Sequence, residues 1–184
     1  GVGYETNTGP HVEVAYRQNL LFGRPWVLLT GARLDQTGGL GYADLQFPPR
    51  PSRVQDSIGM LVEDSDVEDL RVRRWGFGAA RSQTTGPRIG NNLVTRWSVN
   101  FENENRRTPE TDWQRLRVLS TTYSWVLREV DSLIEPRRGH ILRLEGSVGA
   151  SGTQLDDVFL SGYGRLQKYF PVGARDVVIA RADL

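Results

Sequence analysis

The chain has 184 residues, with 23 Lys and Arg against 22 Asp and Glu, no Cys, one Met and two His. Without Cys, no disulfide framework, thiolate metal site or Cys nucleophile can form, and two His are too few for an ordinary structural zinc site. A net charge of +1 argues against non-specific nucleic-acid binding, which depends on a clear positive excess.

Five Trp, six Tyr, six Phe and 20 Gly in a chain only 38% hydrophobic fit neither a disordered segment nor a helical bundle. No apolar run approaches the ~18 residues of a transmembrane helix. The first residues carry no basic segment followed by an apolar run, as a secretory leader would. Both ends read as strand interiors, and the expectation is a piece cut from a longer protein.

Alternation dominates, and helical periodicity is nearly absent. Val12, Val14 and Tyr16 alternate with Glu13, Ala15 and Arg17. The set Trp26, Leu28, Thr30, Ala32 and Leu34 forms a second apolar row. Leu93, Thr95, Trp97, Val99 and Phe101 alternate with Val94, Arg96, Ser98, Asn100 and Glu102. Leu142, Leu144, Gly146, Val148 and Ala150 alternate with Ile141, Arg143, Glu145, Ser147 and Gly149. Turn-rich stretches at 7–10, 21–25, 36–39, 48–56, 63–68, 82–92, 103–112, 131–139, 151–157 and 171–175 separate such segments. The spacing predicts eleven strands, at 1–4, 11–20, 26–35, 40–47, 57–63, 69–81, 93–102, 114–128, 140–150, 158–169 and 176–184. Every connection suits a hairpin, so the expected topology is an antiparallel meander. No Pro is expected inside a strand core. The acidic group Glu63, Asp64, Asp66, Glu68 and Asp69 reads as a solvated hairpin tip, with a cation site as the other reading.

These strands approach the ~9–11 residues that a tilted strand needs to cross a bilayer. Alternation alone does not distinguish a soluble barrel or sandwich, apolar inside, from a membrane barrel, apolar outside with a polar lumen. Two features favour the membrane barrel. The polar face carries bulky charges such as Arg96, Glu102, Arg143 and Glu145. Aromatics Trp26, Phe47, Phe101, Trp125, Tyr169 and Phe170 fall toward strand ends, as in an interfacial girdle. Two strands, 69–81 and 158–169, do not divide cleanly: Arg71 and Arg73 suggest one inward face but Arg74 interrupts the other, and Tyr163 and Leu166 fall on opposite faces.

No catalytic constellation emerges. His11 and His140 lack a G-x-S-x-G neighbour and read as strand-end polar residues. The glycines at 38, 39, 41, 76 and 78 do not open a helix, so they suit bending and close packing rather than phosphate binding. Asp156 and Asp157 fall in a turn. The expectation is a protein that is not an enzyme and uses no cofactor or metal.

Three stretches carry a family likeness. Gly1, Val2, Gly3 and Tyr4, followed by Thr6, Thr8, Gly9, Pro10, Tyr16 and Arg17, form the first. The second is Glu135, Pro136, Arg137, Arg138, Gly139 and His140 ahead of an alternating strand. The third is residues 159–184, with Tyr169, Phe170 and Pro171 before a short turn and a Val-rich strand. Together they resemble the BamA/TamA-type outer-membrane assembly barrels of the bacterial surface antigen family, with the TamA branch the nearer likeness. The resemblance implies an all-β, sixteen-stranded transmembrane barrel in the outer membrane of a Gram-negative bacterium. Residues 1–184 would then be a partial barrel domain, with periplasmic domains before it and further strands and a sixth extracellular loop after it. It also implies assistance to the assembly of other outer-membrane barrels and autotransporters. The implied partners are outer-membrane lipid, client β-barrel or autotransporter proteins and an inner-membrane-anchored periplasmic protein, with no nucleic acid. On this map Gly1, Val2, Gly3 and Tyr4 belong to the first strand of a lateral gate and contact the client. A passive porin or secretion pore, and a soluble β-barrel or sandwich binding module, remain the alternative readings.

Overall fold

A computed structural model describes every residue except 6–8, 68, 89–90 and 174. Eleven strands form one sheet in the order β1 to β11, each hydrogen-bonded to its sequence neighbours and all antiparallel. They are β1 (Val2–Glu5), β2 (Gly9–Gln18), β3 (Val27–Asp35), β4 (Gly38–Gln46), β5 (Val54–Val67), β6 (Leu70–Arg88), β7 (Asn91–Thr108), β8 (Thr111–Val130), β9 (Gly139–Gly152), β10 (Asp157–Val172) and β11 (Asp176–Asp183). β1 pairs only with β2, and β11 only with β10, so among the described residues the sheet does not close. The eleven-strand antiparallel meander expected from the alternation is the fold observed.

In this order, successive connections fall at opposite ends of the sheet. Connections at 36–37, 109–110 and 153–156 share one end, and those at 19–26, 47–53 and 131–138 share the other. Backbone contacts agree. The Asp66 N–H donates to the Thr37 carbonyl at 2.6 Å, and the Thr84 N–H donates to the Arg53 carbonyl at 3.2 Å. Asn7 and Thr8 of the expected first turn lie outside the described residues. Gly9 and Pro10, expected in that turn, are the first residues of β2. Pro10, Pro87 and Pro171 each lie next to a strand end, where a missing N–H is tolerated.

The middle strands are longer than expected. The stretches 63–68, 82–92 and 103–112, read as connections, are mostly ladder within β5 to β8. For residues 63–66 and the strand that faces them, ion pairing is the physical reason. On the β5–β6 ladder Glu63 faces Arg74, Asp64 faces Arg73 and Asp66 faces Arg71. Arg71 Nε donates to Asp64 Oδ1 at 3.3 Å and Arg73 Nε to Asp64 Oδ2 at 3.2 Å. Opposite charges directly across a strand pair stabilise polar strands that no apolar face supports. The acidic group is therefore not a hairpin tip: Glu63, Asp64 and Asp66 are strand residues, Asp69 takes a left-handed φ of 67° at the turn, and Glu68 lies outside the described residues. No metal-competent group of three or more acids and His occurs among the described residues.

Residues directly opposite in a ladder point to the same face, so the register fixes both faces. One face carries Tyr16, Thr30, Ala43, Met60, Phe77, Phe101 and Leu119 as directly paired neighbours, with Val14 and Val99 on the same face. It continues through Trp97, Tyr123, Trp125, Leu142, Leu144 and Val148 to Leu160 and Leu166. The other carries Arg17, Asp44, Ser57, Ser82, Arg96, Ser124, Glu145 and Tyr163. Tyr163 and Leu166 do lie on opposite faces. Arg71 and Arg73, expected to point inward, instead share the outward face of Phe77 and Met60, because the β5–β6 register sets Arg73 opposite Asp64 two rungs beyond that pair, and Arg74 is the inward residue. The apolar face is the exposed one: Trp97 is 51% exposed and Phe77 57%, whereas Ser98 is only 9% exposed. A flat sheet would expose both faces alike; crowding on the polar side marks it as the concave side. Packing of a soluble core would give the reverse.

Two of the expected girdle aromatics fall elsewhere. Phe101 lies mid-strand, because β7 continues to Thr108, although it still ends the apolar row. Tyr169 is only 8% exposed, shares the polar face with Gln167, and accepts a 2.6 Å hydrogen bond from Gln167 Nε2. Its position in β10 puts it on the opposite face from Leu166 and Phe170. Trp26 and Phe47 meet edge-to-face at 5.4 Å beside their turns, and Tyr123 meets Trp125 at 5.6 Å.

The 131–138 turn is held by one carboxylate. Asp131 Oδ1 accepts the backbone N–H groups of Ser132, Arg137 and Arg138 at 3.0 to 3.1 Å. The bond from Arg138, then that from Arg137, holds its carboxyl below the ordinary carboxylate range. A depressed carboxylate stabilises the turn above its ordinary pKa and loses that contribution as pH falls through the depressed value. Protection of the Arg137 and Arg138 amides, taken relative to intrinsic exchange at each pH, should therefore be high at neutral pH and fall only in strong acid; protection unchanged across that range would contradict the role.

The register also orders mutations. Arg on the lipid face of a membrane barrel costs roughly 2–4 kcal/mol near mid-bilayer, while the lumen tolerates charge. In the full-length protein, Val99→Arg should impair folding into lipid vesicles far more than Ser98→Arg, and Leu144→Arg more than Ser147→Arg. Urea titration in vesicles measures both contrasts.

Candidate functional site

The edge residues expected to contact a client, Gly1, Val2, Gly3 and Tyr4, lie at or in β1. The ladder places Val2 opposite Val12, Gly3 opposite His11 and Tyr4 opposite Pro10. At its start the Gly1 amino group donates to the Glu13 carbonyl at 2.5 Å, and the Glu13 N–H donates to the Gly1 carbonyl at 2.9 Å. The sheet order leaves the other side of β1 without a partner strand among the described residues. In water such an edge is solvated; in hydrocarbon each unpaired backbone group costs several kcal/mol. A strand edge in that setting is a template for an incoming strand.

Gly3 has a steric role that composition did not reveal. A Cβ built there would sit 2.6 Å from His11 Cε1 and 2.7 Å from His11 Nε2. The imidazole thus lies against the bare backbone of β1. His11, read from sequence as a strand-end polar residue, is a packing element of the β1–β2 seam, and its Nδ1 is buried with no hydrogen bond among the described residues. Only the cross-strand register, Gly3 to His11, could have revealed this; eight residues separate them in the chain.

The concave wall is the second part of the site. Arg74 bridges two carboxylates, donating from Nη2 to Glu63 Oε2 and from Nη1 to Glu102 Oε1, the latter at 3.3 Å. Near the far edge, Asp183 accepts from Arg165 Nε at 2.5 Å, Arg181 Nε at 2.8 Å and the Tyr163 hydroxyl at 3.4 Å. Arg143 and Arg165 both lie over the Tyr163 ring, at 5.7 and 5.6 Å, a cation–π arrangement. A trough of about 560 Å³ follows the middle strands, with Asp44, Ser57, Arg96, Asn100 and Glu102 on its walls. Gly76, Gly78, Ala80 and Ser82 keep β6 thin on this side. Mixed charges and small residues suit a water-filled interior. They form no nucleophile–base pair. His140 approaches Glu129 at 3.6 Å on the opposite, outward face.

One glycine elsewhere is fixed by geometry. Gly38, at the start of β4, takes φ +151°, and a Cβ there would fall 1.9 Å from the Asp64 carbonyl oxygen. That contact is with backbone, so no rotamer change relieves it. Gly38→Ala should detach the start of β4 from β5 and lower the folded fraction. Gly3→Ala should be milder, because a side chain can move, but should release the His11 imidazole. The His11 ring NMR shifts in the full-length barrel distinguish these two outcomes from no effect.

No protein-family model matches the sequence, and no curated protein matches it. Solved structures do. BamA from Haemophilus ducreyi, in a crystal structure lacking POTRA domains 1–3, superposes with a TM-score of 0.69 at 13% sequence identity. The match covers 99% of this chain and 39% of that one. At this identity the likeness is one of fold. The chain is an open eleven-stranded meander with the fold of part of a BamA-like β-barrel, spanning about two-fifths of the length of that solved chain.

Proposed function

We propose that this chain is the lipid-embedded wall of an outer-membrane barrel that assists assembly or translocation of autotransporters and other outer-membrane β-barrels. The observation that carries this reading is the exposed apolar face running across the sheet, with charge and small polar residues on the concave side. That arrangement suits hydrocarbon outside and water inside. The likeness of fold to BamA supports an assembly-type barrel over other membrane barrels. On this reading the host is a Gram-negative bacterium, and residues 1–184 belong to a barrel of sixteen strands with periplasmic domains attached. The TamA-like motifs quoted above favour that branch.

The mechanism needs no covalent chemistry and no cofactor. β1 offers its free edge, formed by Gly1, Val2, Gly3 and Tyr4, to the terminal strand of a client. Pairing satisfies N–H and C=O groups that lipid leaves unsatisfied, and release follows when the client closes on itself. An inner-membrane-anchored periplasmic protein is the proposed further partner, and nucleic acid has no part.

Depletion of the full-length protein tests this. Folded autotransporter and β-barrel levels in the outer membrane should fall while solute permeability is unchanged. A loss of solute uptake with normal barrel assembly would establish the passive-pore reading instead. In addition, Val2→Cys introduces a thiol into a stretch that has none; it should crosslink to a Cys in the last strand of a stalled client.

A further inference from the structure

The outward face changes character abruptly toward one end. On the rung Met60–Phe77–Phe101–Leu119 every outward side chain is apolar. The next outward rung is Val62–Trp75–Asn103–Arg117, and the one after it Asp64–Arg73–Asn105–Arg115. Asp66, Arg71 and Arg107 follow. Two residues of strand rise about 7 Å, so the surface passes from hydrocarbon-like to cationic within one or two rungs. Trp75, Phe77 and Phe101 cluster at the boundary, with centroids 5.4 to 6.3 Å apart.

The cationic row exceeds its acids. Arg71 and Arg73 both turn to Asp64. Among the described residues, Arg107, Arg115 and Arg117 have no carboxylate partner; Arg115 donates to Asn105 Oδ1 at 3.4 Å. Arg107 and Arg73 flank the Trp113 ring at 5.7 and 5.2 Å. Trp113 is 42% exposed, so its ring holds two guanidinium groups at the surface. The opposite end differs: there Asp56 pairs with Arg81 and Arg50, each at 2.7 Å, and His140 faces Glu129. The row is built from Arg alone, and the only Lys in the chain, Lys168, is elsewhere. Guanidinium groups suit bidentate contacts to phosphate.

Resting on the reading that the apolar face meets lipid, we propose that Arg107, Arg115 and Arg117, with Trp113 and Arg73, form a binding surface for the phosphate groups of an anionic glycolipid in the adjoining leaflet. The acyl chains of that lipid lie along the apolar band below, where Leu28, Leu45, Ile58, Met60 and Val99 line a hollow of about 540 Å³. The phosphates meet the arginine row; Trp75 sits where that row meets the apolar band, and Trp113 lies beyond Arg115, among the guanidinium groups of Arg73 and Arg107. The contact anchors the projecting β6–β7–β8 hairpins to the leaflet and fixes the depth of the barrel.

The test uses the full-length barrel in neutral phosphatidylcholine nanodiscs doped with bisphosphorylated lipid A or with the same lipid stripped of phosphate. Lipid retained per barrel is then counted by native mass spectrometry. The wild type should retain the phosphorylated form preferentially. The triple variant Arg107→Gln, Arg115→Gln, Arg117→Gln should lose about 100-fold in that affinity, roughly fivefold per arginine. Equal retention of both lipids by the wild type would overturn the proposal, and that comparison decides it even if the triple variant misfolds. Full competition by millimolar inorganic phosphate would also overturn it, showing a simple anion site. A barrel that enters the nanodiscs but ignores phosphate sinks only this proposal. One that fails to enter bilayers sinks the membrane reading beneath it.

Discussion

The structure depends on one requirement: backbone N–H and C=O groups withdrawn from water must be paired by other backbone groups. A strand cannot satisfy its own N–H and C=O groups, so it needs neighbours on both sides. An antiparallel meander meets this with the shortest connections, and here each of β2 to β10 has a partner on either side. The same ladder fixes which side chains share a face. Because the side-chain period is two, a slip of one residue would carry Arg96 and Ser98 into the apolar row and Trp97 and Val99 into the polar one. Register, lipid exposure and lumen chemistry are therefore a single decision, made by the pairing.

Past the apolar band the same ladder continues on a different basis. β6, β7 and β8 run on as polar strands joined by cross-strand charges such as Asp64 with Arg71 and Arg73, and by Arg74 between Glu63 and Glu102. Each exposed pair contributes little singly. They act as a continuous row on strands already aligned by their apolar halves, so the entropy of aligning them has largely been met below. This explains long, rigid hairpins built from a sequence that looks like loop.

The edge strand is where the requirement is left unmet. β1 is paired on one side, and its seam with β2 is adapted to a histidine lying over a glycine. Among the described residues β11 is an edge in the same way, paired only with β10.

The sequence by itself determined the strand count, the meander and the apolar rows of β3, β7 and β9, because alternation with period two and turn residues are local signals. It misjudged residues 63–68 and 103–112, since charged strands held by partners on another strand resemble loops when read alone. It left open which face is outside, because a soluble barrel and a membrane barrel have the same alternation. Only the tertiary structure decided that, by crowding Ser98 and Tyr169 on the concave side while leaving Trp97 and Phe77 bare. It also paired Gly3 with His11, set Arg73 and Arg115 on one rung through Asn105, and brought Arg73 and Arg107 to the Trp113 ring. Those relations are set by register between strands, and register is a property of the folded sheet.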